Sequence, residues 1–240
     1  MLYTLCMRKI ILGLVIILGF GTLSGCASLL EDLERTIADM ESSTPTDGLR
    51  EALAVGTGRT VDRRGRTGGY LGDKLAEIAV PQKFDSAARA LRVIGRSDLI
   101  DDFKISMNLA AEAAAPVARD VFMQSIRQMS FDDARSILSG HDTAATDFFR
   151  RTAGPELTRR FAPIVDGKLA EVGATRDFDD LMDRIEALPL VDRPVFDLTS
   201  YVTDRALTGL FDTLAEEEQR IRTDPVARTT DLLKRWFGNR

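Results

Sequence analysis

One short stretch, SGHDTAATDFFRR at residues 139–151, holds the chain's single histidine, His141, beside Asp142, Thr143 and Asp147. An imidazole, a hydroxyl and carboxylates this close could move protons in a general acid–base step. The same residues also read as a helix start. Asp142 or Thr143 can accept the free amide hydrogens of a first turn, Ala144, Ala145, Phe148 and Phe149 form one apolar side, and Asp147 and Arg151 stand as an i,i+4 pair. Every residue then has a structural task, and that reading is preferred. A second polar pair, Asn108 and Glu112, sits four residues apart in the alanine-rich run NLAAEAAAP. Small neighbours let another helix approach, so both groups are expected to be buried and to need partners. Hydrogen bonds that fix helix register are the first reading, and a ligand-binding pair is the second. The doublets Asp101-Asp102, Asp132-Asp133 and Asp179-Asp180 fall near predicted helix starts, where the dipole favours negative charge. There is no HExxH, no EF-hand spacing and no G-x-S-x-G, so the sequence makes no case for a metal site, a serine nucleophile or a cofactor.

The elements that carry these residues read as helices almost throughout. From Leu49 onward apolar residues recur at spacings of three and four, with capping residues at starts and glycine or proline at stops. The pattern predicts an all-α, irregular multi-helix bundle of about eight to ten helices. Leu49, Leu53 and Val61 share the first, Pro81 opens a helix that Gly95 ends, and Ser97 caps a longer one that Pro116 bends or breaks. Ser130 with Asp133 makes a capping box, Gly154-Pro155 starts a helix containing Pro163, and Thr175 starts another. Asp197 with Ser200 caps the longest, read as exposed, with Glu216-Glu217-Glu218 as a solvated face; Asp224-Pro225 opens the last. Four glycines and the run DRRGR predict a loop over 62–72, with Arg63, Arg64 and Arg66 solvated or, less favoured, touching anionic headgroups. A short extended segment over 74–80 is allowed, without a sheet.

The amino-terminal end has a different character. Arg8 and Lys9 precede an apolar run from Ile10 to Phe20, too short to span a bilayer, followed by small residues. That is the layout of a secretory leader over residues 1–25. Leu23-Ser24-Gly25-Cys26 resembles the bacterial lipobox, in which the chain is cut before the cysteine and a lipid is attached to its sulfur. The resemblance implies lipidation at Cys26 and an anchor on the membrane. Ala27, where inner-membrane retention would place Asp, favours the periplasmic face of the outer membrane by resemblance to Gram-negative lipoproteins. Residues 26–47 then form the lipidated end, a short helix with Leu29, Leu33, Ile37 and Met40 on one side, and a tether through ESSTPTDG; residues 48–240 form a single helical domain. Cys6 leaves with the leader and Cys26 carries lipid, so no disulfide is expected and stability must come from the core. The formal net charge of −5 argues against nucleic acid as a partner.

Several blocks carry a wider likeness. MNLAAEAAAPVA (107–118), MSFDDARSILSG with HDTAATDFFRR (129–151), RFAPIV (160–165), YVTDRALTGLF (201–211), EEEQRIRTDPVARTTDLLKRWFG (216–238) and GGYLGD (68–73) resemble the segments of a bacterial lipoprotein family known as domain of unknown function 4197. The resemblance spans most of residues 48–238. It implies a helical exported domain and offers no catalytic residues to carry over.

Three functions follow as expectations. The preferred one is a non-catalytic envelope lipoprotein that binds a protein or cell-wall partner and exposes an apolar or mixed patch. The second is a carrier of a small apolar or amphipathic ligand, with an enclosed cavity and Asn108 or Glu112 at its mouth. The third, least favoured, is a carboxylate hydrolase, which needs at least two of Glu112, Asp142 and Asp147 to converge in one cleft.

Overall fold

In the computed structural model, residues 44–186 and 196–224 are described. Pro45 begins a compact unit that runs to Arg240 and carries its own core. The predicted helix over 29–40 and the final one after Asp224 lie outside the described residues, as does Cys26.

Nine α-helices stand among the described residues: α1 (Pro45–Arg64), α2 (Asp85–Val93), α3 (Asp98–Ala114), α4 (Ala118–Gln128), α5 (Phe131–Ser139), α6 (Ala144–Thr152), α7 (Gly154–Glu171), α8 (Ala174–Glu186) and α9 (Leu198–Thr223). No strand occurs among them, and the fold is an all-α bundle. α9 is central, packing along α1 and α7 and touching α3 and α6; α3 lies against α7 and α8. The alanines of α3 and α4, Ala110, Ala111, Ala114, Ala115 and Ala118, are all buried, and Leu157, Phe161, Val165 and Leu169 of α7 are buried in the same core. Small side chains on one helix let a neighbouring backbone come close.

Most boundaries follow local chemistry. Pro116 ends α3 and forces a 3-10 turn, Ala115–Val117, before α4. Ser130 and Asp133 make both bonds of the capping box. Asp197 accepts the Ser200 amide at 2.9 Å. α7 runs on through Pro163.

Four expectations are corrected. α9 is not an exposed helix: Val202, Ala206, Leu210, Phe211 and Leu214 are buried, and so are Glu217 and Glu218. Ser97 precedes α3 but makes no side-chain capping bond. α1 extends three residues into the predicted loop, ending at Arg64. Its inward face holds Gly56, Thr57, Thr60 and Arg64 after Leu49, Ala52 and Leu53, so the aliphatic signal fades while the helix continues. Thr57 and Thr60 satisfy their hydroxyls on carbonyls one turn back, Leu53 at 2.7 Å and Gly56 at 2.9 Å. Finally, Arg64 is not solvated: its exposure is 0%.

Residues 65–81 form turns and an extended stretch that lies against α3 and α9. At Gly209 of α9 a Cβ would come within 2.8 Å of the Ala76 Cβ, so only glycine admits this approach. Tyr70 is fully buried beside it and donates its hydroxyl to the Ala206 carbonyl at 2.8 Å.

Candidate functional site

The histidine stretch forms one wall of an open cleft between α5 and α6. α5 ends at Gly140, where a Cβ would meet the Ala144 Cβ at 2.6 Å and the Ser136 carbonyl at 2.7 Å, so the chain folds tightly back. In the turn His141 Nδ1 receives the Thr143 amide at 3.4 Å and lies 3.2 Å from the Thr143 hydroxyl. That leaves Nε2 to carry the ring hydrogen toward Asp147 Oδ2, 3.3 Å away. Asp133, Ser136, Phe148 and Arg151 complete a cleft of about 430 Å³. Asp147 pairs with His141 and not with Arg151, which lies 3.9 Å from Asp133 and over the Phe148 ring. Hydrogen bonds from the Ser130 hydroxyl and amide hold the Asp133 carboxyl below the usual range.

The order hydroxyl, imidazole, carboxylate matches that of nucleophilic hydrolases. Acyl transfer also needs donors for a developing oxyanion, and a helix start would supply them. Here those amides are already occupied. Neither Asp142 nor Thr143 caps α6 through its side chain. Glu218 of α9 takes their place: its carboxylate accepts the Ala145 amide at 2.9 Å, the Thr146 amide at 2.8 Å and the Thr146 hydroxyl at 2.9 Å. Arg222 closes the other side at 2.7 Å. The Ala144 amide is bonded to the His141 carbonyl. Asp142 is exposed and does not line the cleft, and Glu112 lies elsewhere, so of the three carboxylates proposed to converge only Asp147 is present.

Asn108 and Glu112 are buried as predicted, with Asn108 at 0% exposure. Both hold the 65–81 segment. Asn108 Oδ1 accepts the Ile78 amide at 2.9 Å, and its Nδ2 donates to the carbonyls of Ile78 at 2.9 Å and Lys104 at 2.8 Å. Glu112 Oε1 accepts the Tyr70 amide at 3.1 Å. An amide that offers one acceptor and two donors is matched here to an extended backbone that offers the complement. The apolar recess between α1, α6 and α9, lined by Leu49, Leu53, Ala145, Leu214 and Ile221, has a volume of about 30 Å³, and neither Asn108 nor Glu112 borders it. That is room for about one water, not for a carried ligand.

A third polar centre was not foreseen. Arg64 donates Nε to Thr213 Oγ1 at 2.6 Å, Nη2 to Asp73 Oδ2 at 2.7 Å, and Nη1 to the Gly69 carbonyl. Arg63 joins Asp73 at 2.6 Å and Glu216 at 2.7 Å. Burial alone would raise the Asp73 carboxyl, but hydrogen bonds from Arg64, the Leu75 amide and Arg63 outweigh it and lower its pKa to about 2. The Tyr70 phenol is pushed up, mainly by burial. The signal that could have found Arg64 is its spacing: it stands three and four residues beyond Val61 and Thr60 on the buried stripe. Glu218 likewise follows Leu214 by four and precedes Ile221 by three.

Among the described residues no group of three or more His, Cys, Asp or Glu could hold a metal, and no helix is long and apolar enough to cross a membrane. The fold and these sites define an all-α domain whose buried polar side chains chiefly bind its own backbone. The chain belongs to the family described as protein of unknown function (DUF4197), whose model matches residues 39–238. No curated protein and no solved structure matches it.

Proposed function

We propose that this protein is a lipid-anchored module of the bacterial cell envelope, tethered through Cys26 on the periplasmic face of the outer membrane, that binds or supports a protein or cell-wall partner without catalysing a reaction. The observation that carries the non-catalytic reading is Glu218. By filling the first amides of α6 it removes the donors that the Thr143–His141–Asp147 arrangement would need for acyl transfer. Asn108 and Glu112 support the same reading, because Asn108 is engaged by the Ile78 backbone and Glu112 Oε1 by the Tyr70 amide. The anchor rests on the leader layout and on Leu23-Ser24-Gly25-Cys26. Several acyl chains on one residue, at about 0.8 kcal/mol per buried CH₂, would hold the domain firmly to a bilayer.

Mass spectrometry of the amino-terminal peptide of the protein isolated from membranes tests the anchor. The expected product begins at Cys26 and carries diacylglyceryl and acyl groups. A mature chain with a free Cys26 thiol, or one beginning elsewhere, overturns it. Single-turnover assays with activated esters test the other half: a burst abolished by Thr143→Ala would restore the catalytic reading.

A further inference from the structure

Among the described residues, the connection between α2 and α3 carries the most exposed large apolar side chain, Val93. α2 sends Leu91 into the core, while the rest of its described side chains are exposed or half-buried. Its end is closed by a Schellman motif. Gly95 has φ +73°, its amide bonds the Arg92 carbonyl at 3.1 Å, and the Arg96 amide bonds the Leu91 carbonyl at 2.8 Å. A Cβ added at Gly95 would find nothing within 4 Å, so the tip stands in open solvent. On this fixed tip Val93 is 86% exposed and Ile94 is 62% exposed, two adjacent branched aliphatic side chains turned to water.

Three arginines surround them. Arg89 lies one turn before Val93 on the same face, Arg92 precedes it directly, and Arg96 follows Gly95. Arg96 is shared with Asp98 at 3.2 Å, and Arg89 donates to the neutral Ser86 hydroxyl at 3.2 Å. From Arg89 to Arg96 there is no acidic residue, on a chain whose net charge is −5. Asp98 and Asp101 stand in the first turn of α3, where its dipole partly offsets them, and Asp102 follows in the next turn.

We infer that the α2–α3 tip is a membrane-contact element, seating Val93 and Ile94 among the acyl chains of an anionic bilayer while Arg89, Arg92 and Arg96 meet lipid phosphates. Guanidinium groups pair with phosphate oxygens in a fixed fork, and they sit at headgroup depth when aliphatic neighbours enter the layer beneath. The Schellman closure holds the tip in place beforehand, so little order is lost on contact. A second copy of the chain fits less well. Two aliphatic side chains fall far short of the roughly 1,000 Å² that a stable protein interface buries, and a two-fold pairing would set arginines against arginines. A bilayer requires no matching shape and supplies the opposite charge.

This contact does not depend on the Cys26 anchor and is tested without it. Residues 45–240, the compact unit, are mixed with vesicles of phosphatidylglycerol and phosphatidylethanolamine, or of phosphatidylcholine alone, and bound protein is sedimented. Circular dichroism melts confirm that each variant is folded; Val93 and Ile94 are exposed, so their replacement leaves the melt unchanged. The expected result is binding to the anionic vesicles that weakens as salt rises. Arg92→Gln lowers it about five-fold, and Val93→Ser with Ile94→Ser lowers it about ten-fold or more. Equal binding to both vesicle types, or full binding by the double serine variant, overturns the inference. So does a dimer in sedimentation velocity that the double variant abolishes, which would assign the tip to a second copy.

Discussion

Asp73 shows how one carboxylate ties a loop to two helices. Its Oδ2 receives Arg63 and Arg64 from the end of α1, and Arg64 reaches on to Thr213 of α9. Because the folded-state pKa is about 2, below the ordinary 3.8, ionised Asp73 favours the folded form. That contribution is complete above pH about 4 and disappears as pH falls through the folded value. Asp73→Asn is therefore expected to be less stable than the parent at neutral pH, with the difference shrinking between pH about 4 and 2. Asp133 and Asp197 also have lowered values, held by bonds from Ser130 and Ser200, but they are present in both proteins and cancel in the comparison. Urea denaturation at several pH values measures this; a stability difference independent of pH would assign Asp73 no such role.

At the scale of elements, what the sequence disclosed depended on how far the deciding contact lay along the chain. The Ser130 box, the Pro116 break, the Gly95 stop and the Asp197 cap are made within four residues, and all were legible. The burial of Asn108 and Glu112 could be read from their alanine neighbours. Their partners could not, because Ile78 and Tyr70 lie 30 and 42 residues away. The α6 cap was assigned to Asp142 or Thr143 for the same reason: Glu218 is more than 70 residues downstream. Within EEE the apolar periodicity is masked by charge, although Glu217 and Glu218 both turn inward and Glu218 keeps the spacing of Leu214 and Ile221. Removing the Asn108 amide should free the segment it holds. Asn108→Leu is expected to cost about 1–3 kcal/mol, since the Ile78 amide and carbonyl both lose a buried partner. Hydrogen exchange at Ile78 should rise at least about ten-fold, while the Ser130 region keeps its protection. Unchanged exchange at Ile78 would show that the turns hold themselves.

At the scale of the whole domain, the first and last described helices are neighbours. α1 packs along α9, Gly56 leaves a Cβ position 3.4 Å from Ile221 Cδ1, and Arg64 completes its bonding on Thr213. Non-local pairings of this kind close large loops before they return any contact energy. A chain ending at Glu186 contains eight of the nine described helices. It is nevertheless expected to melt without a cooperative transition, because the central helix is missing; a sharp calorimetric peak from it would contradict this.

The Glu218 carboxylate gives that dependence a sense of time. Synthesis delivers α6 long before α9, and until the later helix arrives the amides of Ala145 and Thr146 have only water to bond. The domain is thus latched from its far end. The carboxylate that caps α6 exists only once the last described helix has been made, so the start of α6 waits on a segment more than 70 residues later in the chain.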